Sequence, residues 1–160
     1  MNRILILSTL AFTLATTAFG QDSKPPAQSP STPALTPAET KFKDLLTNAT
    51  LIGRWAPIKD GEMGEEKKDK YAIAGATKVK DDSWIIGAKM KYGDREIVAP
   101  IPVKVRWAGD TPVVIVDKMT IPGGGTYSAR VLFFEKTYAG SWSSKNHAGL
   151  LNGTISNKTE

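Results

Sequence analysis

The chain of 160 residues contains no cysteine and a single histidine, His147. Without cysteine there is no disulfide bond, and no lipid can be attached to a cysteine after an export signal. One imidazole and scattered carboxylates do not supply a zinc site, and the run DGEMGEE lacks the ligand spacing of a calcium loop. We therefore expect no metal and no other cofactor, and a fold held together by its own apolar core.

Catalytic motifs are equally scarce. Ser141, Ser143 and Ser144 lie near His147 in sequence, but no nucleophile elbow surrounds any of them. The glycine run in PGGGTY is followed by strand-like residues, whereas a phosphate-binding loop is followed by a helix. We therefore predict no catalytic residues and a protein that is not an enzyme, with His147 as a turn residue and the glycines as a hairpin turn.

The N-terminal segment 1–20 has the pattern of a signal peptide. Arg3 precedes a short apolar stretch, and Ala18 and Gly20 suit the small positions of a cleavage site. A transmembrane anchor is the alternative, but the stretch is broken by threonines and lacks a charged flank. We predict export to the periplasm or the exterior, a mature chain that begins at Gln21, and no transmembrane span after cleavage.

Segment 21–36 is rich in proline and serine and nearly devoid of large apolar residues, so it cannot bury enough surface to fold. It is predicted to be a disordered linker; the alternative, a proline-rich ligand for another module, lacks basic flanking repeats. The remaining chain is predicted to form one domain over 37–156, followed by a short tail at 157–160.

The domain opens with a helical pattern. Thr36 and Glu39 form a Thr-x-x-Glu capping box, and apolar residues then recur at helical spacing on one face. These apolar residues are Phe42, Leu45 and Leu46. We predict a short amphipathic helix of two or three turns.

Eight further segments alternate apolar and polar residues, which is typical of strands. They are 51–58, 70–78, 83–92, 96–107, 111–121, 126–136, 138–143 and 149–156. Short turns make neighbouring strands antiparallel, and such a sheet has two exposed edges unless it closes. We therefore predict an all-β fold, an eight-stranded antiparallel up-and-down β-barrel with a short N-terminal helix. Pro100 and Pro102 predict a bulge or bend in the fourth strand.

Leu51, Gly53 and Trp55 are spaced two apart and share one face of the first strand. Glycine permits a sharp bend at a barrel rim, and an inward tryptophan can close one end of a barrel. We predict that Gly53 and Trp55 form a structural motif that closes the floor, with the helix across the same opening.

A short helix followed by Leu-x-Gly-x-Trp on the first of eight strands resembles the lipocalin and avidin group of small barrels, over 37–155. The last strand, GLLNGTI, is similar to the closing strands of small lipocalin-like domains in exported bacterial proteins. The resemblance implies a calycin-type barrel. The first functional hypothesis is therefore a non-enzymatic barrel whose interior cavity binds a small apolar or amphipathic ligand.

Four side chains are the candidate ligand-binding residues: Trp84, Met90, Trp107 and Tyr127. The alternative is that the tryptophans fill the core of a barrel too narrow for a ligand. A filled barrel would be an interaction module in the cell envelope, where the excess of basic residues (net charge +5) favours an anionic polymer, lipid or protein as partner. Nucleic-acid binding is not expected, because the chain is predicted to be exported and its sequence shows no concentrated groove of aromatic and basic residues. The sequence leaves the oligomeric state open.

Overall fold

The computed structural model of the protein describes residues 34–92, 95–121 and 125–157, without the side chains at positions 90–97 and 121. The predicted signal peptide, nearly all of the predicted linker and the last three residues of the predicted tail lie outside the described residues. The elements are α1 (Pro37–Leu46), β1 (Ala49–Lys59), β2 (Glu62–Met63), β3 (Lys67–Lys80), β4 (Ser83–Tyr92), β5 (Arg95–Ala108), β6 (Thr111–Ile121), β7 (Gly125–Phe134), β8 (Thr137–Ser144) and β9 (Ala148–Ser156).

The long strands form a closed antiparallel barrel. Each pairs with the next along the chain, and β1 also pairs with β9, from Thr50 opposite Ser156 to Ile58 opposite Ala148. The short β2 pairs only with the end of β1. The predicted all-β fold, a closed eight-stranded barrel with one short N-terminal helix, is therefore confirmed. The β2 strand was missed because two residues are too few to show alternation.

The helix is fixed at both ends. The capping box forms as predicted: the Glu39 backbone N–H donates to Thr36 Oγ1 at 3.3 Å, and the Thr36 N–H donates to the Glu39 carboxylate at 2.9 Å. At the other end, the side-chain amide of Asn157 donates to the carbonyls of Leu45 and Thr47, each at 3.0 Å. Carbonyls at a helix C-terminus lack intrahelical partners, so Asn157 ties the end of β9 to the helix.

The helix covers one end of the barrel and completes the core there. Phe42 makes edge contacts with three aromatic rings at centroid distances between 5.5 and 6.2 Å. These rings are Trp84, Trp107 and Phe133. The sequence predicts Trp55 at this end, whereas the structure places Trp84 there, fully buried at the start of β4. Trp55 lies farther along β1 and packs against Trp142.

A buried ion pair joins the helix to the barrel wall. Lys78 Nζ lies 2.7 Å from Glu39 Oε1, and the two side chains are 13% and 8% exposed. Burial by itself raises the pKa of the Glu39 carboxyl, but the hydrogen bonds from Lys78 and from the Thr36 backbone outweigh it and lower the pKa below its ordinary value. Glu39 therefore serves both as helix cap and as anchor.

The two prolines of β5 have a different consequence from the one predicted. The register between β4 and β5 runs without a shift from Ser83 opposite Lys104 to Tyr92 opposite Arg95. Pairing of β5 with β6, by contrast, runs only from Lys104 to Ala108. Because proline has no N–H to donate, Pro100 and Pro102 fit a stretch of β5 that pairs on one side only. The prolines thus limit the β5–β6 ladder instead of bending the β4–β5 pair.

Candidate functional site

The inner wall of the barrel changes character along its length. Near the helix, the inward side chains are buried: Leu51, Ile73, Trp84, Val103, Val105, Val114, Phe133, Tyr138 and Ile155. Farther along the same strand faces, the residues are partly exposed: Trp55, Ala88, Ala99, Val116, Ala129, Val131, Trp142 and Leu151. Residues two apart on a strand point to the same side, so both sets face the interior. Solvent therefore reaches the half of the interior lined by the second set, which we call the cup.

Two aromatic rings of β8 lie against the wall that β1 and β9 form. A Cβ atom on Gly153 would be 2.7 Å from Cε1 of Tyr138, and one on Gly149 would be 2.6 Å from Nε1 of Trp142. Both distances are too short for any residue with a side chain, so glycine is required where these rings pack. Because the rings rest on the backbone of the wall, they occupy less of the space around the barrel axis.

Aromatic side chains gather at the mouth of the cup. The rings of Trp55 and Trp142 meet edge to face with centroids 5.7 Å apart, and Tyr127 lies 6.3 Å from Trp142. Lys67 Nζ lies 5.1 Å from the centroid of Trp55, within the range of a cation–π contact. An open depression of about 470 Å³ reaches Ala129 and Trp142 at this rim, but most of its lining residues lie on the outer strand faces, among them Ser128, Arg130, Ser141 and Ser143. The mouth therefore offers apolar ring surface next to small side chains.

A polar cluster marks the bottom of the cup. Asp69 pairs with Gly53 across β3 and β1, and the side chain of Tyr138 packs over Gly53. Tyr71 donates its hydroxyl hydrogen to Asp69 Oδ2, and the backbone N–H of Lys70 donates to Asp69 Oδ1 at 2.8 Å. The Tyr138 hydroxyl is buried and has no hydrogen-bond partner among the described residues. Asp69, Tyr71 and Tyr138 are called the polar floor below.

Burial and the Asp69 charge act together on the two tyrosines of the polar floor. For Tyr71, burial, the hydrogen bond to Asp69 and the negative charge of Asp69 all raise the pKa of the hydroxyl. For Tyr138, burial raises the pKa first and the charge of Asp69 adds to it. Both tyrosines are therefore neutral hydrogen-bonding groups at physiological pH.

The four candidate ligand-binding residues do not lie together. Trp84 and Trp107 both contact Phe42 in the core beneath the helix, away from the cup. Tyr127 lies at the mouth against Trp142. The backbone of Met90 pairs with Ile97 in the β4–β5 hairpin, and its side chain lies outside the described residues. The structural motif is also divided: Gly53 lies at the polar floor and Trp55 at the mouth.

Sequence reasoning missed the polar floor, and it considered Trp142 only as one of four tryptophans that line a cavity or fill the core, without including it among the candidate ligand-binding residues. Asp69 precedes the predicted start of the second strand at residue 70, so it was assigned to a loop. The alternation of Lys67, Asp69, Tyr71 and Ile73 on one face carries the signal that β3 begins earlier. Tyr138 and Trp142 are four residues apart on the inner face of β8, and Gly140 lies between them on that face. Their partners Gly153 and Gly149 on β9 show the same spacing.

The outer surface divides by charge. Strands β8 and β9 contain no Lys, Arg, Asp or Glu, whereas β3 to β5 carry eight of the sixteen lysines. Some basic side chains are already paired: Arg106 lies 2.8 Å from Asp82, and Arg54 lies 3.0 Å from Glu66. On the uncharged side, a shallow groove of about 620 Å³ runs between Leu132 and Leu150. This groove is an alternative ligand site on the outer surface.

Among the described residues, no group of three or more His, Cys, Asp or Glu side chains lies close enough to hold a metal ion. His147 is exposed between β8 and β9, and its carbonyl accepts the N–H of Ser144 at 2.7 Å.

Within the described segments, no helix has the length and apolar character needed to cross a membrane. Compared with family models, curated proteins and solved structures, the chain matches none of them.

Proposed function

We propose that the protein binds a small apolar or amphipathic ligand in the cup. The observation that carries this proposal is the change of exposure along the inner wall. A barrel filled by its own side chains would bury Ala88, Ala99 and Ala129 as thoroughly as the helix end buries Trp84, which is 1% exposed. These alanines are instead partly exposed although they face inward. Small side chains on an inner wall that solvent reaches are what a ligand cavity requires.

The chemistry of the cup favours an apolar body on the ligand. Trp55, Trp142 and Tyr127 present ring surface at the mouth, and Val131 and Leu151 continue the apolar wall inward. Aromatic rings provide a large apolar contact area at a low cost in side-chain entropy.

We further propose that the protein meets this ligand outside the cytoplasm. The proposal rests on segment 1–20, whose apolar stretch and small residues suit cleavage after Gly20. The lipocalin-like layout, a short helix followed by a closed barrel, supports ligand carriage as the role of an exported protein of this size. No acid–base or nucleophilic group enters the proposal, so the role is binding without chemistry.

Titration with phenylnaphthylamine, an uncharged apolar fluorophore, tests the site. We expect saturable binding with a rise in dye emission and quenching of tryptophan fluorescence. Ala129→Phe should weaken binding about tenfold or more, because it places a ring in the cup beside Trp142. Ala139→Phe is the matched control: it makes the same change on the outer face of the neighbouring strand, at the edge of the outer groove.

The two variants separate the cup from the surface. Loss of binding in Ala129→Phe alone supports the cup. Loss of dye binding in Ala139→Phe alone would show that the ligand binds in the outer groove. That result would favour the alternative function, an interaction module of the cell envelope. Absence of saturable binding to the unaltered protein by this dye and by a panel of fatty acids and alcohols would overturn the proposal.

A further inference from the structure

The Tyr138 hydroxyl is one of two buried side-chain polar atoms without a hydrogen-bond partner among the described residues; the other, Trp84 Nε1, lies in the core beneath the helix, away from the cup. The residue is 3% exposed, its ring stacks on Phe133 with centroids 6.3 Å apart, and its hydroxyl has no partner among the described residues. Burial of a hydroxyl without a partner opposes folding, and phenylalanine would fill the same space without that cost. A tyrosine at this position is therefore explained by a hydrogen-bond partner that the described residues do not supply.

The surroundings of the hydroxyl show what that partner must be. Asp69 faces the same interior, directly across the β1–β3 ladder from Gly53, against which the Tyr138 side chain packs. Each Asp69 oxygen accepts one hydrogen bond from the protein, from Lys70 N–H and from the Tyr71 hydroxyl. A carboxylate oxygen can accept more than one hydrogen bond, and a phenolic oxygen can accept as well as donate. The polar floor thus has unused acceptor capacity facing the cup.

The position of the cluster connects it to solvent. Tyr71 is 41% exposed although its strand pairing puts it on the same face as buried Leu51. Tyr138 is buried and lies deeper. The polar floor therefore spans the boundary between the solvent-accessible cup and the filled core. A molecule that enters from the mouth passes the aromatic rings first and reaches the polar floor with its leading end.

We propose that Asp69, Tyr71 and Tyr138 bind the hydrogen-bond-donating head group, hydroxyl or amine, of an amphipathic ligand whose apolar tail lies along Trp55 and Trp142. This assignment rests on the ligand-binding cup proposed above and specifies the chemistry of the ligand. The head group donates to Asp69 and completes the hydrogen bonding of the Tyr138 hydroxyl. A carboxylate head group is disfavoured, because it has no hydrogen to donate and is repelled by Asp69.

Four probes with the same tail test the head-group preference by calorimetry: decanol, decylamine, decyl methyl ether and decanoate. The unaltered protein should bind the alcohol or the amine about ten- to a hundredfold more tightly than the ether and decanoate. Preference for the alcohol over the amine, or the reverse, identifies which donor the site takes. Tyr138→Phe and Asp69→Asn should each reduce the preference over the ether.

Thermal unfolding of ligand-free Tyr138→Phe gives a second, independent readout. Because it removes an unpartnered hydroxyl and keeps the ring, we expect its unfolding midpoint to be unchanged or raised. A clearly lowered midpoint would mean that the hydroxyl is satisfied within the protein, and would overturn the assignment. Equal binding of all four probes would also overturn it but leave the cup intact. Failure of every probe to bind would overturn the cup and the head-group site together.

Discussion

The carboxylate of Glu39 and the ammonium of Lys78 form an ion pair of 2.7 Å between the helix and β3, almost withdrawn from solvent. The same carboxylate accepts the Thr36 N–H at the start of the helix. One side chain thus determines both where the helix begins and where it sits on the barrel. Removal of either partner leaves a buried charge uncompensated, which is the costly way to break such a pair.

Lys78→Met should destabilise the protein at neutral pH by about 3 kcal/mol, because Glu39 then lacks its cation. Glu39→Gln combined with Lys78→Met removes both charges and should recover most of that loss. Denaturant unfolding of the single and double variants measures both effects. A single variant as stable as the unaltered protein would show that the pair contributes nothing.

The pH dependence of stability follows from the lowered pKa of Glu39. A carboxyl with a lower pKa in the folded state than in the unfolded state stabilises the fold above its ordinary pKa, about 4.5. That contribution is lost as pH falls through the lower, folded value. The unaltered protein should therefore lose more stability between neutral pH and about pH 3 than the Glu39→Gln, Lys78→Met double variant. Parallel acid-unfolding profiles of the two proteins would contradict the coupling.

Trp84 and Trp55 should differ in their contribution to stability. Trp84→Ala opens a cavity under Phe42 and should cost about 3–5 kcal/mol, as large aromatic truncations in cores do. Trp55→Ala should cost about 1–2 kcal/mol, because this side chain is already partly exposed at the mouth. Chemical unfolding followed by circular dichroism avoids dependence on tryptophan emission. Equal losses would show that Trp55 also lies in the core.

Two glycines of neighbouring strands provide a matched test of close packing. A methyl group on Gly53 would collide with the carbonyl oxygen of Asn152 and the hydroxyl of Tyr138, so Gly53→Ala should cost about 1–3 kcal/mol. A methyl group on Gly75 meets nothing within 4 Å. Gly75→Ala should therefore leave stability unchanged or raise it slightly, because alanine has less freedom in the unfolded chain. Thermal unfolding of both variants decides, and a destabilised Gly75→Ala would contradict the packing described for that strand.

Asn157→Asp tests the link between β9 and the helix. Aspartate has the same shape but no hydrogen to donate, and its charge faces the carbonyls of Leu45 and Thr47 at the negative end of the helix. We expect a loss of about 1 kcal/mol in unfolding free energy. Asn146→Asp makes the same change of charge in the exposed β8–β9 loop and should be neutral. Similar effects of the two substitutions would mean that net charge, not the cap, is responsible.

The export prediction is tested by the mass of the mature protein. Expression with the native N-terminus in a bacterial host should give a chain that begins at Gln21, because Ala18 and Gly20 suit the cleavage site. Intact-mass spectrometry of the periplasmic and secreted fractions measures the N-terminus directly. Recovery of the chain in membranes with residues 1–20 attached would instead support the anchor alternative.

The barrel itself was predictable from the sequence because alternation and short turns are local signals. Strand β4, for example, shows Trp84, Ile86 and Ala88 on one face, and the structure places all three inward. The location of Trp55 was predicted incorrectly, yet strand geometry contained the answer. Six residues separate Trp55 from Ala49 at the start of β1, which at about 3.3 Å per residue is about 20 Å. A helix that precedes β1 must cover the end where β1 starts, and Trp84 begins its strand at that same end.

The polar floor was not predictable in this way because it depends on distant pairings. Tyr138 reaches Gly53 only because β8 pairs with β9 and β9 pairs with β1, with Gly153 in both registers. No local pattern determines that register. The bare backbone of Gly53 and Gly153 then creates the space for the Tyr138 ring, and sequence alone does not show which glycines meet which aromatic residues.

The seam between β1 and β9 has a consequence for how the chain reaches its folded state. The first strand and the last meet along most of their lengths, from Thr50 with Ser156 to Ile58 with Ala148. During synthesis β1 has only its β3 side available until β9 has emerged, so its other edge stays open almost to the end. Folding with such long-range contacts is slow, and an open strand edge in that interval invites pairing with other chains. Under the export proposed above, late closure of the barrel would keep the chain unfolded while it crosses the membrane.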